Sequence, residues 1–184
     1  MELICLGDSL TFGYGVRASQ RWTALAEGAS GWKVINQGLS GDTTGGMLVR
    51  LRTQILNGMG VSCALRAERP MVLLMGGCND IFYSGSDQCA RANMGAMAQE
   101  LLSAGLVPLI GVPMNIGTQG FPPLWGTLVD FGAVREMLNA YYDWLTVYAK
   151  AFRLPVVDFR PDFLLPDGCV NDALYLDGLH PNPE

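Results

Sequence analysis

Five short apolar runs punctuate the chain, at residues 3–6, 33–36, 71–75, 107–112 and 155–159. None alternates strictly between apolar and polar positions. Each is a near-continuous block, such as Met-Val-Leu-Leu-Met at 71–75. Strands with one wet face alternate, so continuous blocks predict strands buried on both faces, as in a parallel sheet. Segments of helical length separate the blocks, at 20–29, 44–56, 88–104 and 133–152. The third offers Ala92, Ala96, Leu101 and Leu102 as an apolar stripe. The fourth places Val134, Met137, Leu138, Tyr141, Leu145 and Tyr148 at spacings of three and four. Strands alternating with helices predict an α/β domain of three layers, α/β/α, around a five-stranded parallel sheet. In such a sheet, functional residues gather beyond the carboxyl ends of the strands. The stretch 113–130 follows neither period. It holds Gly117, Gly120, Pro122, Pro123 and Gly126 beside Phe121, Leu124 and Trp125, and a loop this long in a compact domain is usually functional or mobile.

Composition narrows the function classes. The 184 residues suit a single domain over 1–184, and 49% apolar with 16% charged residues argues against disorder. The net charge is −5 and Lys and Arg form no cluster, so no nucleic-acid partner is expected. The apolar runs are too short to span a bilayer, so no stable membrane insertion is expected either. The five cysteines are odd in number and form no C-x-x-C pair. They read as buried small hydrophobes in a reducing compartment, not as a disulfide framework or a metal site. Met1 and Glu2 lead straight into the first apolar run with no basic, apolar leader. The expected location is therefore the cytoplasm, or an exported one if a natural leader precedes this sequence.

Candidate chemistry sits just after the predicted strands. The first runs into Gly7-Asp8-Ser9-Leu10. A serine there is commonly a helix cap, but the glycine before it also lets a substrate approach closely. A serine hydroxyl needs a base to act as a nucleophile, and the chain has a single histidine, His180, in Asp177-Gly178-Leu179-His180-Pro181-Asn182. If Gly178 and Leu179 make a tight turn, Asp177 reaches the imidazole and fixes its tautomer. Acyl transfer also requires donors for a developing oxyanion. The loop Gly38-Leu39-Ser40-Gly41-Asp42 can offer a bare backbone N–H. The loop Gly76-Gly77-Cys78-Asn79-Asp80 can offer the Asn79 side chain. Each signal is weak alone, but a doubly wound sheet would bring all of them to one edge.

These four blocks, in this order across nearly the whole chain, resemble those of the SGNH hydrolases, also called GDSL-like lipases and acylhydrolases. The likeness is strongest to the small bacterial esterases and lysophospholipases. It implies a flavodoxin-like sheet and a catalytic triad of Ser9, His180 and Asp177. It also implies an oxyanion hole from the Ser9 and Gly41 amides with the Asn79 side chain, and it implies no cofactor and no metal. Members usually have a further helix after the His-Pro-Asn segment. Here Asn182-Pro183-Glu184 reads as the start of such a helix, a cap, a proline and an acid, so the domain over 1–184 is expected to lack that helix.

The expected activity is hydrolysis of short-chain acyl esters, lysophospholipids or thioesters through an acyl-enzyme on Ser9. Phe121, Leu124 and Trp125 are expected to form part of an acyl-binding wall. An alternative keeps the triad and takes O-acetylated carbohydrate as substrate. A more distant one is a non-enzymatic, flavodoxin-like cofactor-binding module. Against it, no G-x-G-x-x-G follows the first strand and no Walker lysine pattern occurs.

Overall fold

Five strands form in the computed structural model, which describes residues 1–57, 70–121 and 129–183. They are β1 (Glu2–Gly7), β2 (Lys33–Gly38), β3 (Met71–Met75), β4 (Val107–Val112) and β5 (Val156–Asp158). All neighbouring pairs are parallel, in the order β2-β1-β3-β4-β5. This is the flavodoxin-like order, with its switch point between β1 and β3. Both strands that flank the switch point lead directly into short helices bearing candidate site residues, Ser9 after β1 and Asn79 after β3.

Successive side chains of β1 go to opposite faces, as the pleat demands. Ile4 and Leu6 join one core with Val72, Leu74 and Ile110, while Leu3 and Cys5 join the other with Leu73, Met75 and Leu109. The expectation of burial on both faces holds for β1, β3 and β4. It does not hold for β2 and β5, whose residues are half-buried or exposed. These are the two edge strands, with a neighbour on one side only.

Among the described residues, six α-helices pack on the sheet: α1 (Ser9–Phe12), α2 (Trp22–Ser30), α3 (Thr44–Arg50), α4 (Cys78–Ser84), α5 (Gln88–Ser103) and α6 (Phe131–Phe152). The α3 helix continues into a π-helical turn over Leu51–Leu56. The first core is closed by Met47 and Leu51, by Met94, Met97 and Leu101 of α5, and by Leu138, Tyr141 and Leu145 of α6. Asp130 caps α6 by accepting the Ala133 amide at 2.8 Å, and the predicted stripe of this helix is the buried one, with Met137 and Tyr148 only partly covered.

The stripe of α5 differs from expectation. Ala92 and Leu102 face solvent and Ala96 is half-buried, whereas Ala90, Met94, Met97, Ala98 and Leu101 are buried. Two methionines, flexible enough to fill irregular gaps, mark the true buried face. Helices α1 and α4 leave no periodic signal in the sequence, because four and seven residues are too few to express one. The four cysteines among the described residues are all free and split in burial, Cys5 and Cys78 being buried and Cys89 and Cys169 exposed; Cys63 lies outside the described residues.

Candidate active site

The carboxyl end of β1 delivers Ser9 as the first residue of α1. Asp8 caps the helix, its carboxyl accepting the Leu10 amide at 2.9 Å. The Trp22 indole donates to the Leu10 carbonyl at 3.0 Å and pins the other side of the turn. Ser9 is thereby held nearly buried, 9% exposed, at the edge of the sheet.

His180 arrives from the far end of the chain. The Asp177 carboxylate accepts the backbone amides of Leu179 at 3.1 Å and His180 at 2.8 Å, which closes a tight turn. Gly178 makes that turn possible. Its φ is 79°, and a Cβ there would stand 2.3 Å from the Gly120 carbonyl oxygen, so any other residue would be both strained and obstructed. The turn places His180 Nδ1 2.8 Å from Asp177 Oδ2 and His180 Nε2 2.9 Å from Ser9 Oγ. An ionised carboxylate only accepts, so Nδ1 has the proton and Nε2 is left to accept from the Ser9 hydroxyl. Burial by itself would raise the Asp177 carboxyl. The imidazole and the two amides outweigh burial and hold it below the ordinary carboxylate range.

Residues 113–121, expected to be irregular, brace this turn. Gly117 N–H donates to the Gly178 carbonyl at 2.8 Å, and Thr118 donates through both its amide and its hydroxyl to Asp172. The Tyr14 ring, in the loop after α1, lies 4.6 Å from the imidazole, centroid to centroid.

The opposite side of the site comes from the loops after β2 and β3. Gly41 has φ 80°. Asn79, in the first turn of α4, donates one amide hydrogen to the Asp42 carbonyl at 2.8 Å, which orients the amide and leaves its second hydrogen for another acceptor. Its neighbour Asp80 is buried and accepts the Thr44 amide at 2.8 Å and the Thr44 hydroxyl at 2.6 Å, tying α4 to the start of α3.

Asp8 is a third carboxyl beneath the site. Burial pushes it up to about 7, against the pull of the Leu10 amide and His180 and with the push of Asp42 and Asp80. Its second oxygen has no partner among the described residues.

A cavity of about 300 Å³ opens on this arrangement, with Ser9, His180, Gly41 and Asn79 on its wall. Asp177 stands behind His180. Of the expected acyl-wall residues, Phe121 does not line this cavity. It packs against Phe82 with the rings tilted by 60° and 4.8 Å between centroids, and Phe82 forms part of the wall. Leu124 and Trp125 lie outside the described residues. Tyr14, Tyr83, Val129 and Leu179 also line the cavity and were not singled out. A signal existed for two of these wall residues: Phe82 and Tyr83 follow Asn79 by three and four positions, which puts them on its face once α4 is known to be a helix.

A parallel sheet of this order with such an edge defines a serine ester hydrolase of the SGNH type. The chain belongs to the GDSL-like lipase/acylhydrolase family, whose sequence model matches residues 5–184. An arylesterase of Vibrio mimicus is 28% identical over 100% of this chain and 81% of its own length. The esterase TesA of Pseudomonas aeruginosa is 27% identical, over 97% of this chain and 79% of its own. In solved structures, the fold matches the native M. smegmatis aryl esterase with a TM-score of 0.74 at 19% identity, covering 99% of this chain and 91% of that one. Among the described residues, no helix is long and apolar enough to cross a membrane.

Proposed function

We propose that the protein hydrolyses small esters with short acyl chains, with Ser9 as nucleophile, His180 as general base and Asp177 as the group that orients the imidazole. The observation behind this reading is the unbroken relay from Asp177 through His180 to Ser9 Oγ on the wall of the cavity, with links of 2.8 and 2.9 Å. As Ser9 Oγ bonds to the ester carbonyl carbon, its proton passes to His180 Nε2, and Asp177 stabilises the imidazolium that results. The carbonyl oxygen takes up negative charge against the Ser9 and Gly41 amides and the free hydrogen of the Asn79 amide. Collapse of this intermediate breaks the ester C–O bond, and the imidazolium gives its proton to the leaving alcohol. Water, deprotonated by the same imidazole, then releases the acid and restores Ser9.

Cavity size supports the choice of substrate. About 300 Å³ must hold the acyl group and part of the alcohol, at the small end of ligand pockets. Each methylene that fits gains up to ~0.8 kcal/mol, and the gain ends when the space is full. Two exposed free thiols, Cys89 and Cys169, suit work in a reducing compartment. The test is a series of chromogenic esters of rising acyl length. We expect kcat/KM to rise over the first few carbons and then to fall. Activity that climbed to long chains, and only above the aggregation limit of the substrate, would identify a true lipase instead.

A further inference from the structure

Arg50 lies at the end of α3, outside the cavity, yet its guanidinium joins three segments that must be in register for the reaction. Nε and Nη2 grip Asp42 Oδ2 at 2.8 and 2.6 Å. Nη1 donates to the Gln37 carbonyl at 2.6 Å, near the end of β2. Nη2 also donates to the Gly7 carbonyl at 2.8 Å, the last residue of β1 and two residues before Ser9. Both partners of the ion pair are well covered, with side chains 13% and 10% exposed. Asp42 in turn offers its main-chain carbonyl to the Asn79 amide and directly follows Gly41. The surroundings are shaped for this carboxylate: a Cβ on Gly46 would lie 1.8 Å from Asp42 Oδ1, so only glycine at that helix position admits it.

The geometry points to Arg50 as a positioning residue for the oxyanion site: through Asp42 and the Gly7 carbonyl it sets the Gly41 amide and the Asn79 side chain at a fixed distance from Ser9. This rests on the reading of Gly41 and Asn79 as oxyanion donors. The role demands arginine specifically. A planar fork can serve a carboxylate and two carbonyls of differing direction at once, whereas a lysine ammonium is a point charge with no such fork. A slack oxyanion site harms the transition state and spares the ground state, because the donors meet full negative charge only during reaction.

The test compares Arg50→Lys, Asp42→Asn, Asn79→Ala and the double variant Arg50→Lys/Asn79→Ala, with thermal melting as a check on folding. Arg50→Lys should lower kcat about ten- to a hundred-fold with KM little changed, the scale of a misplaced catalytic group. Asp42→Asn keeps an acceptor and the shape of the loop, and should lose less. In the double variant the losses should fall short of the product of the singles, since both act through one donor set. An Arg50→Lys enzyme that melts normally and turns over at the parent rate would overturn the proposal, as would a loss confined to KM or a fully multiplicative double variant. Should Arg50→Lys fail to fold, Asp42→Asn decides by the same kcat-against-KM split. An Asn79→Ala enzyme with unchanged kcat would overturn the underlying oxyanion reading, an outcome the Arg50 result cannot mimic.

Discussion

The two sides of the candidate site are built by different means. The base side is local: the four-residue stretch from Asp177 to His180 folds the Asp177 carboxylate onto the Leu179 and His180 amides and aims His180 at Ser9. The donor side is assembled at long range. Asn79 leans on Asp42, Asp42 on Arg50, Arg50 on the ends of two strands, and Asp80 on Thr44. A local relay should fail all at once when a member is removed. A distributed scaffold should fail by degrees, and the predictions below test that contrast.

The largest losses belong to the relay. Ser9→Ala and His180→Ala should each reduce kcat by about 10⁶-fold, the scale seen when a unit of this kind loses its nucleophile or base. Chromogenic ester assays on variants that melt like the parent check this. A folded Ser9→Ala enzyme with undiminished turnover would remove the nucleophile assignment. Asp177→Asn should cost about 10⁴-fold, because an amide no longer enforces the Nδ1–H tautomer. A drop of merely a few-fold would mean that the backbone turn alone orients His180.

On the donor side, Asn79→Ala should lower kcat by about 10²- to 10³-fold and leave KM nearly as it was. If the defect sat wholly in KM, Asn79 would belong to substrate binding and the two sides would no longer differ in kind.

Asp8 produces the smallest effect, and in stability rather than rate. Its folded-state value is raised to about 7 by burial, above the unfolded value near 3.9. The sign follows from linkage: its contribution is fully present below the unfolded value and is lost as pH rises through about 7. An Asp8→Asn variant escapes that loss. Its Tm relative to the parent should therefore improve steadily between pH 4 and pH 8. Parallel curves across that range would show that the buried carboxyl does not titrate there.

The same contrast explains what could be read in the sequence. The base side was legible because its partners are three residues apart in one motif, Asp177 to His180. The strands β1, β3 and β4 were legible because central strands are apolar throughout. The donor side was legible only as endpoints, Gly41 and Asn79. The links that hold them are spread over the chain: Arg50 and Asp42 meet through α3, and Asp80 reaches Thr44 across 36 positions. No period or spacing encodes those meetings. Of the expected acyl wall only Phe121 falls among the described residues, and it lies off the cavity for a similar reason. Phe121 belongs to an aromatic-rich segment and drew attention as such, but Phe82, on an unforeseen helix of seven residues, stands between it and the cavity. The irregular composition of 113–130 suggests a wall over the acyl group; in its described part, 113–121, the backbone at Gly117 and Gly120 packs on the Gly178 turn.

The most direct test of the account is the mass of the protein after reaction with a serine-directed fluorophosphonate, followed by peptide mapping. The account predicts one adduct per chain, located on Ser9, formed rapidly by the parent and only very slowly by His180→Ala. An adduct on any other residue, or labelling of Ser9 at the parent rate without His180, would contradict it.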